Sequence, residues 1–521
     1  MAKPNSSLYL LNLLFWRFIL EKYSDPKLVE HERLIQEDFE RLNYPIKNWV
    51  PKFIGPNNKP LIDVLVIGGG MNGLAAAFAL RCQGVQNIRQ VDEKEFGQAG
   101  PWLNFARMEY LRSPKHLTGP ALNIPNLTFR AWWEAKNSKV GWEKLGFIKR
   151  EEWAEYLKWF EKITNSKIEY NTKVTNIDFV KLKGTENHNL RPCYRVHIRN
   201  TKGASSSSID PATNDPIYAR YIVLANGREG LAQPRIPKIF KNIQSKNIFH
   251  SSEKINFSFF KNKRVFVIGV GASALDNAAC AAEAGGSVTV IARAPKMPLL
   301  NKMKNTVYPG FAEGFHALED HEKLAWITHI QNERIAPPKH TVERVEKLGI
   351  KLILGSEVCD LKELETEFEL TISSLRNKRK TFADFIILGT GFVIDLEKVP
   401  ELESFSSDIL LWKDVLKSYK KREGSVIEML DFPYLGKKFE FKSTIVSKQN
   451  QLKNIRCFNH AAQLSLGNLA NDIPHSNEGA HRLAKGIAED LFQEDKTIHF
   501  ENLKNYTELE ITGSEWSQIP D

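Results

Sequence analysis

Two glycine-rich turns mark positions where the backbone, rather than side chains, would meet a ligand. In the first turn, the apolar run VLVIGG leads through Gly68, Gly70 and Gly73 into the helix-forming stretch LAAAFAL. The first glycine of a GxGxxG turn permits a sharp bend, the second lets a pyrophosphate approach the backbone, and the third lets the helix pack on the strand. The helix N-terminus offers free N–H groups to phosphate oxygens. The predicted phosphate-binding residues are Gly68, Gly69, Gly70, Met71, Asn72 and Gly73.

An acidic pair follows the first turn at the distance expected for a ribose contact. Asp92 and Glu93 come after NIRQV, about twenty residues beyond the turn, where a carboxylate accepts hydrogen bonds from the ribose hydroxyls. A strand, a glycine turn, a helix, a second strand and an acid in this order indicate a dinucleotide site more specifically than the glycines alone. The alternative is a glycine-rich turn that binds no ligand.

The second turn repeats the first with two changes of residue. Gly269 and Gly271 follow RVFVIG, but Ala274 takes the place of the third glycine. The next strand, SVTVIAR, ends in Arg293 instead of an acid. An arginine can pair with the 2'-phosphate of NADP, whereas a carboxylate would favour NAD, so NADPH is the predicted ligand. Its predicted contacts are Gly269, Gly271, Ala272, Ser273, Ala274 and Arg293. The alternative for Arg293 is an ordinary surface arginine at a strand end.

Each turn is followed, later in the chain, by a strand that ends in small residues. The run YIVLANG ends in Ala225, Asn226 and Gly227, and DFIILGTG ends in Gly389, Thr390 and Gly391. Small residues at a strand end indicate that backbone lies close to a ligand or to another chain segment. These six residues are therefore further candidates for cofactor contact.

The elements that must position these residues alternate between strand-like apolar runs and helical stretches from Leu61 onward. This alternation predicts an α/β fold with two Rossmann-like dinucleotide-binding domains. The order of first turn, LANG, second turn and LGTG predicts that the second domain is inserted within the first. We expect a helical arm over residues 1–60, the first dinucleotide-binding domain over 61–255 and 386–521, and the second over 256–385.

One region dense in aromatic residues is better explained by packing than by ligand stacking. Trp153, Tyr156, Trp159 and Phe160 recur at spacings of three and four residues. That period predicts the buried face of a helix.

Composition excludes several classes of function. The chain has 521 residues, 42% of them hydrophobic, and its 72 basic and 62 acidic residues are interspersed rather than gathered in blocks. We find no nucleic-acid-reading motif to accompany the net charge of +10, so no nucleic-acid partner is expected. The five cysteines form no CxxC pair, which argues against a disulfide framework, a zinc site and a dithiol reductase, and favours a cytoplasmic setting. His250, His316, His340 and His475 show no metal-ligand spacing with one another or with cysteine, and no metal is expected.

The N-terminal run LYLLNLLFWRFILEK is too short to span a bilayer and is interrupted by Asn12 and Arg17. We expect a helix that docks on the body of the protein. The alternative is a membrane-surface helix, which would make peripheral membrane contact.

The segments DVLVIGGGMNGLAAAFAL, GQAGPW, LANGREG, VIGVGASALDNAA and ADFIILGTGF together resemble two-dinucleotide-domain flavoproteins. The resemblance is to the flavin-dependent monooxygenases of the FMO, Baeyer-Villiger and N-hydroxylase group, and it covers roughly residues 61–490. It implies that the first turn holds FAD and the second NADPH. It also implies that Gly100, Pro101 and Trp102 border the flavin and that Val174 meets the adenine through its backbone. The segment QSKNIFHSSEK keeps only His250 of the linker motif found in two of these branches, so no branch is assigned.

The implied reaction uses NADPH to reduce the flavin, after which molecular oxygen forms a C4a-peroxyflavin and one oxygen atom passes to a small organic substrate. The alternative is an NADPH-dependent flavin oxidoreductase or oxidase without oxygen insertion. A third interpretation is a non-catalytic redox or nucleotide sensor, which the intact glycines argue against.

A substrate pocket is expected near the loop NFARMEYLRSPKHLTGP, which follows Trp102 and carries Arg107, Arg112, Lys115 and His116. The alternative is a packed structural loop with solvated charges. Further candidates for flavin or substrate contact, near the return of the chain to the first domain, are Gly467, Asn468 and Asp472.

Overall fold

A computed structural model of the protein describes residues 25–180, 191–202, 215–333, 335–375, 377–416, 429–470 and 472–512. The predicted N-terminal helix, residues 8–22, lies outside the described residues. Among the described helices, none is long and apolar enough to cross a membrane.

Strands and helices alternate through most of the chain. The strands are β1 Ile62–Ile67, β2 Ile88–Val91, β3 Ile168–Glu169, β4 Thr172–Val180, β5 Cys193–Asn200, β6 Ile217–Leu224, β7 Ala232–Pro234, β8 Ile248–His250, β9 Arg264–Ile268, β10 Ser287–Ile291, β11 Lys351–Ile353, β12 Ser356–Glu363, β13 Phe368–Ser374, β14 Lys378–Ala383, β15 Phe385–Leu388, β16 Phe392–Ile394 and β17 Ile455–Cys457. The α-helices are α1 Val29–Arg41, α2 Met71–Cys82, α3 Phe129–Asn137, α4 Lys139–Lys144, α5 Arg150–Ile163, α6 Ala272–Glu283, α7 Pro309–Gly314, α8 Asp320–Asn332, α9 Lys339–Lys347, α10 Trp412–Val415, α11 Gln449–Leu452, α12 Gln463–Leu466 and α13 Ser476–Lys504.

The first sheet has the strand order β3-β2-β1-β6-β5-β4, and β17 also pairs with β6. Strands β2, β1, β6 and β17 run parallel, so their carboxyl ends meet at one edge. At that edge Ile67 pairs with Val91 on one side and with Leu224 on the other. The first glycine turn and the LANG strand end are therefore neighbours.

The second sheet is entirely parallel, with the order β11-β10-β9-β15-β8. Ile268 pairs with Ile291 and with Leu388, which places the second turn beside LGTG. The chain then returns to the first sheet through β17, so the predicted α/β class with one dinucleotide-binding domain inserted in the other is confirmed. The second sheet also takes β8 and residues 386–388, which precede and follow the 256–385 segment. The domain boundaries themselves stay a prediction.

The aromatic face of α5 is buried, as the spacing predicted. Trp153, Tyr156, Trp159 and Phe160 are each at most 6% exposed. Helix α1 packs on this face, and Trp159 Nε1 donates a hydrogen bond to Glu32 Oε1 at 3.1 Å. The rings therefore serve the core and hold the N-terminal helix against it.

A buried ionic cluster ties the long helix α13 to the start of the first sheet. Arg220, only 1% exposed, lies 2.8 Å from Asp495, 3.1 Å from Glu494 and 3.6 Å from Asp63. The guanidinium of Arg220 thus forms ion pairs with three carboxylates. Burial raises the pKa of Asp63 to about 7, although the charge of Arg220 opposes the shift.

Candidate functional site

The first turn is built so that side chains would not fit at two of its glycines. Gly68 has φ +118°, and a Cβ there would lie 2.4 Å from the carbonyl oxygen of Ala225. A Cβ on Gly73 would lie 2.0 Å from the Gly68 oxygen. At Gly70, however, a Cβ would meet nothing closer than Gly100 at 3.5 Å. The outer glycines are required by the protein itself, whereas Gly70 opens a space that the protein leaves free.

The two acidic residues after β2, Asp92 and Glu93, lie in different environments. Asp92 is 9% exposed and accepts hydrogen bonds from the backbone N–H groups of Gly69 at 2.6 Å and Lys94 at 2.7 Å. Burial raises the pKa of Asp92, although these two hydrogen bonds oppose the shift. Glu93 is 41% exposed and pairs with Lys94 at 2.7 Å and Lys173 at 3.2 Å. Burial would raise the pKa of Glu93, but the two lysines together lower it. Asp92 thus braces the turn, and Glu93 presents oxygen atoms to solvent; the ribose contact stays a prediction for both.

Val174 lies on the strand that borders this acidic pair. The N–H of Thr172 donates to Asp92 O at 2.8 Å, which holds β4 beside the end of β2. The pairing of β4 with β5 shifts register between Val174 and Asn176, so a bulge follows Val174 directly. Bulges commonly redirect backbone groups beside ligand sites. The adenine contact of Val174 stays a prediction that this geometry accommodates.

The second turn matches the first with one exchange. Gly269 also has φ +118°, and a Cβ there would lie 2.4 Å from the Gly389 oxygen. A Cβ on Gly389 would in turn lie 2.4 Å from the Cβ of Ala274. The second turn therefore has alanine in the turn, at Ala274, and glycine at the strand end, at Gly389. The first turn has the reverse arrangement, with Gly73 in the turn and Ala225 at the strand end. A Cβ on Gly271 would meet nothing within 4 Å, so this glycine, like Gly70, borders open space.

Arg293 is exposed at the end of β10, and its phosphate contact stays a prediction. It follows β10 by two residues, its side chain is exposed, and Lys296 beside it is exposed as well. Within the described ranges Arg293 has no hydrogen-bond or ion-pair partner. Its guanidinium is available for a phosphate.

The strand ends after LANG and LGTG are held by side chains from distant segments. Asn459 Nδ2 donates to Asn226 Oδ1 at 2.9 Å. His250 Nε2 donates to the carbonyl oxygen of Gly391 at 3.0 Å, while its Nδ1 lies 2.7 Å from Ser252 Oγ. Burial lowers the pKa of His250, which favours the neutral ring with one donor and one acceptor.

The loop expected to shape a substrate pocket contacts the second domain instead of facing only the first. Arg112 Nη2 donates to Asp276 Oδ2 on α6 at 3.2 Å. The carbonyl oxygen of Arg107 accepts a hydrogen bond from Arg344 Nη1 at 3.3 Å. Lys115 is turned inward and donates to two carbonyl oxygens near α4. The loop is therefore packed, as the alternative interpretation has it, but Arg112 and Lys115 bond to protein groups instead of being only solvated.

Two further charged residues, Arg228 and Asp472, lie close to this loop. Arg228 and Asp472 are both exposed to solvent, yet desolvation by surrounding protein lowers the pKa of Arg228 and raises that of Asp472. Ser113 Oγ donates to Asp472 at 3.4 Å, and the charge of Arg112 acts on both Arg228 and Asp472. Arg112, Arg228 and Asp472 are therefore neighbours, and Arg112 is also paired with Asp276.

Comparison with known proteins decides the family. The chain is 30% identical over 495 residues to a FAD-dependent urate hydroxylase from Xanthomonas campestris pv. campestris, which covers 94% of this chain and 98% of that protein. The chain belongs to this family of FAD-dependent monooxygenases.

Further matches agree. A family model for L-lysine 6-monooxygenase/L-ornithine 5-monooxygenase matches residues 142–394, and a FAD-NAD(P)-binding model matches residues 65–189. An L-ornithine N(5)-monooxygenase from Ajellomyces capsulatus is 23% identical over 63% of this chain and 74% of its own. The ornithine hydroxylase structure from Pseudomonas aeruginosa has a TM-score of 0.64 at 17% identity, over 83% of this chain and all of its own, and shows the fold.

The monooxygenase therefore uses FAD and NADPH and inserts one oxygen atom into a small organic substrate; the oxidase alternative is not supported. In the balanced reaction NADPH supplies two electrons, and the second oxygen atom of O2 leaves as water. Bound flavin supplies the oxygen-activating chemistry. The protein must bind and orient it and exclude water.

The residues at the first turn fit a flavin nucleotide. Gly70 and Trp102 line one small cleft with Lys158 and Tyr170. Among the described residues, the buried Trp102 Nε1 has no hydrogen-bond partner, and neither has Glu229 Oε1. Burial raises the pKa of Glu229 to about 7. A buried donor without a partner is costly unless a ligand satisfies it, so the monooxygenase has both space and polar groups ready for the cofactor.

Arg228, Glu229 and Asp276 were not identified as functional candidates from the sequence. Arg228 and Glu229 are within LANGREG, but nothing in their spacing distinguishes them from solvated residues. Asp276 appears in the sequence as one polar position of α6. Gly467 and Asn468, named as candidate contacts, pack inside the monooxygenase: a Cβ on Gly467 would lie 3.1 Å from Phe311, and Asn468 accepts from Gln463 at 2.8 Å. No group of three or more potential metal ligands occurs within the described ranges, and the absence of a metal stays a prediction.

Proposed function

We propose that this monooxygenase hydroxylates a small, planar, nitrogen-rich anion of the urate class. The observation that carries the proposal is the near full-length similarity to a urate hydroxylase, which covers 98% of that protein. The proposal includes molecular oxygen as co-substrate, a cytoplasmic location and no nucleic-acid partner. Membrane contact through residues 8–22 is not part of it.

The charged residues near the loop at 104–120 are consistent with an anionic substrate. Urate is a planar monoanion at neutral pH, with N–H donors and carbonyl acceptors along its edges. The guanidinium groups of Arg112 and Arg228 carry donors and positive charge, and Asp472 offers an acceptor beside them. Ornithine and lysine carry a cationic amine at the position that related enzymes hydroxylate. Arg228 disfavours a cation at short range, although Asp472 opposes it and Arg112 is already paired with Asp276.

We assign the cofactors to the two turns. FAD is held by Gly68, Gly69, Gly70, Met71, Asn72, Gly73, Asp92, Glu93, Gly100, Pro101, Trp102, Val174, Ala225, Asn226 and Gly227. NADPH is held by Gly269, Gly271, Ala272, Ser273, Ala274, Arg293, Gly389, Thr390 and Gly391. The open space at Gly70 and Gly271 supports this assignment, because these are the positions where a pyrophosphate approaches the backbone.

Hydroxylation of an amine is the second candidate. The lysine/ornithine monooxygenase family model covers residues 142–394 and favours it. The two candidates differ in the charge of the substrate, which makes them separable in one experiment.

The test follows NADPH consumption with urate, ornithine and lysine, while mass spectrometry measures a product heavier by one oxygen atom. Urate-dependent consumption that matches product formation supports the proposal, and hydroxylated ornithine or lysine without hydroxylated urate overturns it. Arg228→Gln should raise the KM for urate about tenfold or more, as expected for loss of a charge-assisted hydrogen bond, with flavin content unchanged. Loss of flavin from this variant would contradict a substrate role for Arg228.

A further inference from the structure

Residues 104–120 form one of the contacts between the two predicted dinucleotide-binding domains; residues 311–327 of the second domain also pack into the core of the first. The carbonyl oxygen of Arg107 accepts from Arg344 of α9 at 3.3 Å, and Cys280 Sγ of α6 lies 3.9 Å from the same oxygen. Arg107 itself donates to the carbonyl oxygen of Glu253 at 3.2 Å. The loop starts just after Trp102, so it connects the predicted flavin border to the helix that carries the second turn.

The side chain that makes a direct ionic contact in this stretch is Arg112. Its Nη2 lies 3.2 Å from Asp276 Oδ2, and the Asp276 side chain is only 2% exposed while that of Arg112 is 43% exposed. The other oxygen of Asp276 accepts from Thr341 Oγ1 at 3.2 Å. Asp276 lies on α6, five residues beyond Gly271, the residue that precedes this helix. A shift of the Asp276 carboxylate would therefore displace the turn assigned to NADPH.

We infer that Arg112 is a positioning residue for hydride transfer, which holds the NADPH domain at the correct distance from the flavin through Asp276. The inference rests on the proposed assignment of the two turns. Reacting atoms must approach to about 3–3.5 Å, and a displacement of about 1 Å can lower a rate about a hundredfold. Because Asp276 is buried, removal of Arg112 leaves a charge that keeps the hydrogen bond from Thr341 but loses its arginine partner, which favours movement of α6 or entry of water.

The experiment measures flavin reduction by NADPH in the anaerobic holoenzyme, with NADP⁺ binding followed separately by calorimetry. Arg112→Ala should slow reduction at saturating NADPH by about 10–100-fold, while the Kd for NADP⁺ changes by less than about threefold. Arg112→Lys, which keeps a cation beside Asp276, should recover part of the rate. If Arg112 had only a structural role, Arg112→Ala would change NADP⁺ binding and stability, and the reduction rate would not fall selectively.

Two matched variants make the result decisive. Lys115→Ala removes a cation from the same loop whose hydrogen bonds stay within the first domain, and it should leave the reduction rate unchanged. Asp276→Asn keeps the acceptor for Thr341 but removes the charge, so its effect and that of Arg112→Ala should not add in the double variant. Additive effects, or an Arg112→Ala enzyme that is reduced at the wild-type rate, would overturn the inference alone. A wild-type enzyme that NADPH does not reduce would overturn the cofactor assignment as well.

Discussion

Replacement of Gly271 by alanine separates what the fold needs from what the ligand needs. The position has φ −69° and ψ 165°, which any L-residue adopts, and a Cβ there would meet nothing within 4 Å. The substitution should therefore change the stability of the NADP-free protein by less than about 1 kcal/mol, because a gain of about 0.4–1 kcal/mol through the unfolded chain is offset by the poorer N-cap that alanine makes for α6.

The ligand should respond in the opposite direction. The new methyl group would occupy the space through which the pyrophosphate reaches the N-terminus of α6. Loss of one hydrogen bond to a charged phosphate costs about 1.5–3 kcal/mol, which corresponds to a 10–100-fold weaker binding of NADP⁺. Calorimetry of NADP⁺ binding and thermal unfolding of the NADP-free protein measure the two effects independently.

Gly269→Ala is the matched control, because its Cβ would lie 2.4 Å from a carbonyl oxygen at φ +118°. This variant should lose about 1–3 kcal/mol or more of stability before any ligand is added. A stable Gly271→Ala protein that binds NADP⁺ as tightly as the wild type would refute the placement of NADPH at this turn. A destabilised one would refute the structural reasoning.

Three further outcomes are expected. Gly70→Val, whose Cβ would lie 3.5 Å from the nearest atom, on Gly100, should fold but be purified without flavin; a fully flavinated variant would show that FAD lies elsewhere. Arg293→Ala should raise the KM for NADPH about tenfold or more and leave that for NADH nearly unchanged, and equal effects on both would remove its assigned role. Burial raises the pKa of Asp63 to about 7, so the folded protein retains a proton that the unfolded chain releases near pH 4. Stability should therefore fall as pH rises from about 4 to about 7, by at most about 4 kcal/mol, and Asp63→Asn should flatten this dependence; an unchanged pH profile of thermal unfolding would contradict it.

The cofactor turns could be predicted because their chemistry depends on a few neighbouring residues. A phosphate that binds to backbone N–H groups requires a strand, glycines at fixed spacing and a helix, all within about twenty residues. The periodicity of the α5 aromatic residues is local in the same way. Patterns of this kind determined the α/β class, the order of the two dinucleotide-binding domains and the buried face of α5.

The tertiary structure decided every feature that depends on contacts between distant segments. The spacing identified Ala274 as a departure from the glycine pattern, but only the packed strand end shows that Gly389 provides the room its Cβ requires. Arg112 and Asp276 are separated by 164 positions, and the residues next to either of them in the sequence do not predict their contact. The arginines of loop 104–120 could equally have faced solvent or substrate. Which surface a charged side chain meets depends on how whole domains pack, and that information is distributed over the chain rather than contained in any short stretch.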